Sequence, residues 1–561
     1  MKENRIRERL LHVARGDEPA DIVFRNAEIY HPFSCGWETG DFAVKDGCIA
    51  GIGEYRGLSE IDLRGQRVIP GLFDAHVHIE SSLLTPYEYG RLVLSHGTTT
   101  VVADPHEIAN VCGKDGIEYM LAGKSETPLD IFLMLPSCVP ATPLEEGGAT
   151  LTAADLKPFL SRDHVLGLAE MMNVPGVLAG DPEIEEKLAL TRVRDGHAPL
   201  LTGKGLCAYV LSGLQSDHEC TVRGEAEEKL RRGMYIFIRE GSTERNIGEL
   251  APLVTACNSS RCAFATDDCH ADLLLGDGHI DRCIRSAIES GLEPEIAIRM
   301  ATLTPAERFG LSDRGALAPG RLADFCVLDR DADDFRIRQT FKRGVLWEDP
   351  GKTGRTPRII QKPFACSVPD IAALQLHGSG KARVIGLVPG QIVTEDLRFD
   401  LDTGAIPDTE RDILKAVVCS RYRENRAGLG VVHGFGLTEG AIAASISHDS
   451  HNVVAVGVSD EDIHRALALV IKSSGGMAAV TGKEKTVLPL ACAGLMSSRP
   501  FEEVVRALSL LRAHTERMGA VPDPFMYLSF LALTVIPSLR VTDRGLFDVQ
   551  AFRDVGIFSG A

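Results

Sequence analysis

The sequence predicts an α/β protein in which a (β/α)8 TIM barrel is inserted into a small β-sandwich domain and followed by a C-terminal α+β domain. Three observations favour this architecture. Short strands and turns occupy residues 21–63 and return near residue 322. Between these segments, eight apolar runs each end at a polar residue or proline, with a spacing of roughly 20–35 residues that suits βα units. Strands and helices then mix from residue 366 onward.

The bulk composition indicates a soluble globular protein and excludes several classes. At 561 residues the chain is too long for one ordinary core, so several domains are expected. The net charge of −18 argues against a nucleic-acid partner, which would require a basic face. No apolar run reaches the roughly 18 residues of a membrane span, and residues 1–9 do not resemble a signal peptide. Cysteines without C-x-x-C spacing indicate reduced thiols and a cytoplasmic location.

The small β-sandwich is predicted to be a composite of residues 1–67 and 310–349. The Lys-Asp-Gly sequence at residues 45–47 lies between two apolar runs and signals a hairpin. Strand-like sequence returns at residues 322–329, after the barrel. We therefore expect the later strands to complete the first domain.

The barrel is predicted over residues 68–309, with its active site at the C-terminal ends of the strands. The predicted strand ends are at or near His76, Asp104, Pro136, Glu170, His197, His218, Arg239 and Asp267. Most of these residues carry a side chain that can bind a metal ion or transfer a proton. The sequence therefore predicts a reactive cluster at this face of the barrel.

Two histidines at the first of these strand ends indicate a metal site. His76 and His78 point to the same side of a strand, because side chains alternate along it. Such a pair alone is weak support, since it also occurs on surfaces and in turns. Imidazoles and carboxylates at the other strand ends complete a ligand set for two divalent ions, which a carboxylate could bridge. The predicted metal ligands are His76, His78, Glu170, His197, His218 and Asp267.

Each downstream ligand also has a structural interpretation. Glu170 could be an ordinary loop acid, and His197 a turn histidine. His218 could begin a solvated helix, and Asp267 with Asp268 could form an N-cap pair. These interpretations do not explain why all four residues occur at predicted strand ends of the barrel.

The motifs resemble the amidohydrolase superfamily and, within it, the bacterial adenine deaminases. Residues 70–78 resemble the opening motif of the superfamily, and residues 302–306 and 315–324 resemble its close. The run at residues 103–111 is rare in other amidohydrolases, and the resemblance extends to residues 447–452. Further segments that resemble adenine deaminases are residues 78–82, 167–177, 195–199 and 238–242.

The resemblance implies a metal-dependent aminohydrolase that converts adenine to hypoxanthine and ammonia with a hydroxide bridging two divalent metal ions. Manganese is the expected metal, with iron or zinc as alternatives. A role in purine salvage and a homodimer follow from the same resemblance. Other superfamily members often bridge their metals with a carbamylated lysine. No lysine lies at the fourth strand end here, so Glu170 is the candidate bridge.

The resemblance also assigns catalytic roles. Asp267 would take a proton from the hydroxide and pass it to the departing amine. Glu170 is either a bridging ligand or the acid that protonates a ring nitrogen of the purine. His218 either binds metal or polarises the leaving group.

Seven more residues are predicted to bind substrate or to support the metal ligands. They are Glu80, Ser82, Asp104, His106, Glu107, Arg239 and Glu240. Several have structural alternatives. Asp104 with Pro105 also fits a capped helix start, and Arg239 and Glu240 could pair with each other. Glu80 and its neighbours could equally cap a helix.

The C-terminal α+β domain is predicted over residues 366–561, after a linker at residues 350–365 that is rich in proline, lysine and arginine. His448 and His451 of this domain could reach the active site as part of a lid. The sequence alone favours core or surface positions for both histidines.

Two other functions stay open at this point. A cyclic amide hydrolase or an N-deacetylase would share the metal ligands, although residues 104–110 and the third domain argue against both. A non-catalytic barrel scaffold should have lost one or more ligands, and none is missing from the predicted set.

Overall fold

A computed structural model describes residues 2–142, 146–329, 334–351, 358–362, 364–402 and 406–558. Residues 352–357 and 363 of the predicted linker lie outside this description. Within the described ranges, no helix is both long and apolar enough to cross a membrane.

The chain begins with helix α1 (Lys2–Ala14) and a mixed set of parallel and antiparallel strands. The strands are β1 (Ala20–His31), β2 (Gly36–Lys45), β3 (Cys48–Ile52), β4 (Gly57–Asp62) and β5 (Arg67–Pro70). A turn with Asp46 and Gly47 at positive φ joins β2 to β3, as the hairpin signal predicts. β5 then leads directly into the barrel.

Eight parallel strands form the barrel. They are β6 (Leu72–Val77), β7 (Thr98–Ala103), β8 (Asp130–Leu135), β9 (Val165–Met171), β10 (Arg194–Gly196), β11 (Ser216–Asp217), β12 (Tyr235–Arg239) and β13 (Cys262–Ala265). Hydrogen bonds order them as β6 to β10 in one group and β11 to β13 in another. A parallel bridge between Val77 and Asp267 joins the first strand to the last. The predicted strand ends are those of the structure, and the predicted barrel is confirmed.

Helices separate the barrel strands and cover the outside. They are α2 (Pro86–Ser95), α3 (His106–Cys112), α4 (Lys114–Gly123), α5 (Ala153–Leu156), α6 (Val174–Ala179), α7 (Pro182–Leu188), α8 (Gly203–Leu211), α9 (Arg223–Arg231), α10 (Ile247–Leu250), α11 (Ala271–Gly276), α12 (Ile280–Glu289), α13 (Pro294–Met300) and α14 (Leu303–Arg308). α12 shows the amphipathic pattern of a helix packed on a sheet, with Ile280, Ile284 and Ala287 buried on one face.

Three strands after the barrel return to the first sheet. They are β14 (Phe325–Leu328), β15 (Ile337–Lys342) and β16 (Val345–Leu346), and β14 pairs antiparallel with β5. Phe24, Phe42, Phe325 and Phe341 pack in the core of this region, with ring centroids 4.5–5.4 Å apart. The barrel sequence is therefore inserted between strands of one sheet.

The last part of the chain combines two sheets with helices. Its elements are β17 (Ser379–Leu387), β18 (Thr394–Asp402), β19 (Ile413–Cys419), β20 (Ala427–His433), β21 (Ala441–Ala444), β22 (Val453–Gly457), α15 (Asp460–Lys472), β23 (Gly476–Thr481), β24 (Glu484–Pro489), α16 (Phe501–Arg517), α17 (Pro524–Phe530), β25 (Leu539–Thr542), β26 (Gly545–Asp548) and β27 (Arg553–Asp554). This domain packs on the barrel through contacts such as Ser497 N to Leu83 O, 2.7 Å. The predicted α+β character is confirmed.

Lys342 on β15 connects the first sheet to the barrel. Its Nζ lies 2.7 Å from Asp130 Oδ2 on β8 and 2.5 Å from Asp324 Oδ2, and all three side chains are buried. Replacing Lys342 with Met leaves these carboxylates without their shared cation, so we expect unfolding free energy to fall by about 3–5 kcal/mol. Urea denaturation measures the loss.

Lys483→Met is the control for this prediction, because Lys483 is exposed. It should change stability by no more than about 0.5 kcal/mol. A Lys342→Met protein as stable as wild type would contradict the structural role of the ion pairs.

Candidate active site

Glu170 lies at the centre of the predicted ligand cluster. Its Oε2 is 2.6 Å from His197 Nδ1 and 3.1 Å from His218 Nε2. Its Oε1 is 3.4 Å from His78 Nε2 and 3.8 Å from His76 Nε2. The two oxygens of one carboxylate therefore face two different histidine pairs, which is the arrangement required of a bridging ligand.

Asp267 completes the cluster from the eighth strand. Its Oδ1 lies 3.1 Å from His78 Nε2 and 3.5 Å from His76 Nε2, and its Oδ2 accepts a 2.9 Å hydrogen bond from Arg239 Nη1. Its φ of 54° is in the left-handed region, which non-glycine residues seldom adopt outside turns and functional sites. Backbone hydrogen bonds to His76 and His78 hold it there.

The donor chemistry of this cluster fits divalent metal ions. The His76 Nε2 atom is buried and has no hydrogen-bond partner among the residues that the structure describes. His76, His218 and Asp267 form one compact group of possible ligands, and Glu170, His197 and His218 form another. Neutral imidazoles and carboxylates are the usual ligands of zinc and related ions. All six predicted ligands therefore meet at one place.

The surrounding charges favour ionised carboxylates. Burial opposes ionisation of Glu170, but His218 and His197 outweigh it and hold the pKa of this carboxyl well below its usual range. Burial likewise opposes ionisation of Asp267, but the nearby imidazoles of His76 and His78 outweigh it and hold the pKa of this carboxyl well below its usual range. Both groups therefore present negative charge to a bound cation.

A buried network behind the ligands fixes the ends of the fifth and sixth strands. Asp217 Oδ1 accepts a 2.7 Å hydrogen bond from Ala198 N, and Oδ2 lies 3.0 Å from Lys229 Nζ. The Lys229 ammonium also lies 2.6 Å from Glu225 Oε1 and is fully buried. This network holds the residues adjacent to His197 and His218 in place, and partners of this kind tune metal ligands.

The predicted residues after the second strand also lie at the cluster. Asp104 Oδ1 accepts a hydrogen bond from His106 N at 3.1 Å, and its Oδ2 lies 3.0 Å from His106 Nδ1. His106 Nδ1 is in turn 3.3 Å from Glu170 Oε1. Asp104 therefore both turns the chain into α3 and orients an imidazole toward the central carboxylate.

Three predicted residues face away from the cavity beside this cluster. Glu80 Oε1 accepts from Ile108 N at 3.1 Å, and Ser82 Oγ donates to Ile79 O at 2.6 Å. The Glu240 carboxylate accepts from Ile247 N at 3.4 Å and does not pair with the preceding arginine. Arg239 instead holds Glu219 through two hydrogen bonds, 2.5 and 3.2 Å long.

A small cavity lies beside the ligand cluster. Its floor contains most of the ligand cluster, together with Arg239. Apolar side chains from the last domain form much of the remaining wall: Ile392, Phe530, Leu533, Val535 and Ile536. The site therefore has a charged side and an apolar side, contributed by different domains.

Sequence reasoning missed several polar cavity residues. Glu219 follows His218 and binds Arg239, so a charged residue next to a strand-end ligand was an available signal. Glu244 enters the cavity because its loop turns back at an isolated bridge between Glu240 and Arg245, a feature without a sequence signature. Burial raises the pKa of the Glu244 carboxyl to about 7.

Comparison with family models matches both parts of the chain. Residues 67–347 match the model described as "Amidohydrolase family", and residues 391–553 match "Adenine deaminase C-terminal domain". A protein from Methanoregula boonei named "Adenine deaminase" is 62% identical over 98% of this chain and 98% of its own length. The chain belongs to the adenine deaminase family of amidohydrolases.

A relative of lower identity also matches along nearly the whole chain. "Adenine deaminase" of Desulfatibacillum aliphaticivorans is 46% identical over 99% of this chain and 100% of its own length. Among solved structures, "Crystal structure of an adenine deaminase" is 16% identical, with a TM-score of 0.44, and covers 59% of this chain and 100% of its own. The sequence-based recognition of the family is confirmed.

Metal content offers a direct test of the cluster in this family member. Replacing His76 with Ala removes an imidazole that faces both Glu170 and Asp267. We expect the variant to lose at least about half of the divalent metal bound by the wild type, since few ligands hold each ion. Elemental analysis after gel filtration measures the loss, with exposed His377→Ala as the control. Full metal content in the His76 variant would exclude it as a ligand.

Proposed function

We propose that this protein is a metal-dependent adenine deaminase, which hydrolyses adenine to hypoxanthine and ammonia. The observation that carries the proposal is the joint match of barrel and C-terminal domain to adenine deaminases over nearly the full length of the chain. The ligand cluster in the enclosed cavity supports it, because such a cluster suits hydrolysis. The same two observations disfavour the scaffold interpretation.

The residues that would hold two divalent ions are His76, His78, Glu170, His197, His218 and Asp267. Manganese is the first candidate, and iron and zinc are the alternatives. Ions bound there would lower the pKa of water to about 7, so that a hydroxide nucleophile is present at neutral pH. Glu170 would contact both ions, because its two oxygens face different imidazoles.

Asp267 is the proposed proton carrier of the reaction. Its Oδ1 faces the histidines of the first strand, next to the space where water and substrate meet. The hydrogen bond from Arg239 keeps Asp267 ionised and therefore ready to accept a proton from the attacking water. The same carboxyl then donates that proton to the departing amine of adenine.

Glu170 is an unsuitable acid for the purine ring. Its Oε2 faces His197 and His218, and its Oε1 faces His78 and His76. A carboxylate whose two oxygens both face imidazoles is placed to bind metal ions and not to reach the purine ring. We therefore assign Glu170 to the ligand role and not to the acid role.

The apolar part of the cavity wall serves substrate binding. Phe530 and its aliphatic neighbours offer a surface that matches the flat, weakly polar faces of a purine base. They also exclude bulk water, which strengthens electrostatic interactions at the reacting carbon. A homodimer, a cytoplasmic location and a role in purine salvage stay predictions from the sequence.

Ammonia release tests the proposed function. The enzyme is stripped of metal, loaded with manganese and offered adenine, adenosine and cytosine separately. We expect ammonia from adenine alone and hypoxanthine as the organic product, because the family match is to adenine deaminases along the whole chain. Turnover of cyclic amides or N-acyl compounds, with none of adenine, would favour the alternative amidohydrolase functions.

A substitution at Asp267 tests the proton transfer. Asp267→Asn keeps the shape of the side chain but removes its ability to accept the proton. We expect kcat to fall by about 10²–10⁴-fold, the usual contribution of general acid–base catalysis. Steady-state kinetics measure the loss, and circular dichroism confirms the fold. Asp163→Asn, at an exposed position, is the control. An Asp267→Asn enzyme within a few-fold of wild type would refute the proton-carrier role.

A further inference from the structure

A segment of the C-terminal domain, residues 447–452, is held against the barrel mouth by Glu107. His448 Nδ1 lies 2.5 Å from Glu107 Oε1, and His451 Nε2 contacts the other oxygen of the same carboxylate. Glu107 lies in the first turn of α3, directly after the second barrel strand. All three side chains are buried. Two histidines of one domain thus share a single acid of the other.

Further contacts fix the conformation of this segment. His448 N donates to Ser529 O at 2.8 Å, and the His448 ring stacks on Phe530 with centroids 4.5 Å apart. At the other end, Asn452 Oδ1 accepts a 3.0 Å hydrogen bond from Arg421 N. The segment is therefore held at both ends as well as at Glu107.

Asp449 is the residue that these anchors place in the cavity. Its side chain lines the cavity and only 3% of the residue is exposed. Within the part of the chain that the structure describes, its Oδ2 has no hydrogen-bond partner, and its Oδ1 is 3.9 Å from His106 Nε2, beyond hydrogen-bond distance. Burying a carboxyl without partners is unfavourable, so a structural role does not account for an aspartate here.

Most of the other carboxylates that line the cavity have cationic, imidazole or hydroxyl partners. Glu107 binds two histidines of the C-terminal domain, and Glu219 is bound by Arg239. The metal-ligand carboxylates face the strand-end histidines, as described above. Glu244 also has one unpartnered oxygen, but its second oxygen accepts a hydrogen bond from Thr243. Asp449 is therefore the cavity carboxyl most in need of a donor from a ligand.

Adenine offers two kinds of N–H donor. The 6-amino group must face the ligand cluster, because the carbon that bears it is attacked. The donor that remains for another wall of the cavity is the N–H of the imidazole ring, which a free purine base has. In a nucleoside, a sugar occupies one of the nitrogens of this ring. A carboxyl oxygen with no protein partner is a suitable acceptor for the ring N–H.

We propose that Asp449 is a substrate-binding residue supplied by the C-terminal domain, and that its carboxyl oxygen accepts a hydrogen bond from the imidazole-ring N–H of the free purine base. This inference rests on the proposed function and adds a specificity contact to it. It also gives residues 447–452 a role, since the two histidines hold the aspartate in the cavity.

The test compares Asp449→Ala and Asp449→Asn in the full-length, manganese-loaded enzyme. Loss of a charge-assisted hydrogen bond should lower kcat/KM for adenine by about 10–100-fold in the alanine variant, mostly through a higher KM. Asparagine retains an oxygen acceptor, so Asp449→Asn should recover part of the loss. The thermal midpoint of Asp449→Asn should equal or exceed that of wild type, because an unpaired buried carboxyl has been removed.

Hypoxanthine binding separates the two donors of the substrate. Hypoxanthine has the imidazole-ring N–H but not the 6-amino group. In Asp449→Ala, calorimetry should therefore show the affinity for hypoxanthine falling by a factor similar to the rise in KM for adenine. Unchanged hypoxanthine affinity beside a raised KM would overturn the assignment to the ring N–H. Asp396→Ala, at an exposed position of the same domain, is the control and should alter neither quantity.

Three further outcomes would overturn the inference. Unchanged KM and hypoxanthine affinity in Asp449→Ala would exclude substrate contact. A lower thermal midpoint in Asp449→Asn, with KM unchanged, would indicate a structural role, and loss of bound metal would indicate a metal ligand. A wild-type enzyme that fails to deaminate adenine would refute the proposed function and this inference together, whereas an active wild type with unaffected variants would refute the inference alone.

Discussion

The site depends on one buried carboxylate surrounded by imidazoles. Glu170 lies within 4 Å of nitrogen atoms from five histidines, which come from the ends of three barrel strands and the start of α3. An ion buried this deeply is tolerated only when opposite charge or hydrogen-bond donors surround it. The barrel supplies these donors because parallel strands end at a common face. The positions of the strand ends that carry these histidines therefore determine how well the buried charge of Glu170 is compensated.

Much of the architecture follows from local sequence signals. A barrel strand is a buried apolar run, and its end is marked by the first polar residue at the active-site face. This rule locates His76, Asp104, Glu170 and Asp267 from the sequence alone. Their positions depend on where each strand ends and not on contacts between distant side chains. The returning strands after residue 322 follow from the same reasoning, since β14 carries the apolar residues that pack on Phe24 and Phe42.

Side-chain direction within a loop is harder to predict. Arg239 ends a strand and faces the cavity, whereas the next residue, Glu240, faces the opposite way because consecutive side chains alternate. Glu80 and Ser82 are next to a ligand in sequence but satisfy backbone groups of their own loop and of α3. Contacts between domains had no sequence signal at all. The sequence alone favours core or surface positions for His448 and His451. The packing of the C-terminal domain on the barrel brings both histidines to Glu107.

The carboxylates of this cavity differ in whether their oxygens have hydrogen-bond or ion-pair partners in the protein. Glu107 and Glu219 have each found protein partners, so their negative charge is already balanced. Asp449 has no partner within hydrogen-bond distance among the described residues, and burial raises its pKa to about 6. A residue that contacts a substrate must keep such an unsatisfied atom, because a fully paired group has no acceptor left for the substrate. The C-terminal domain meets this requirement by placing the Asp449 carboxyl in a cavity where Glu107 and Glu219 already have protein partners.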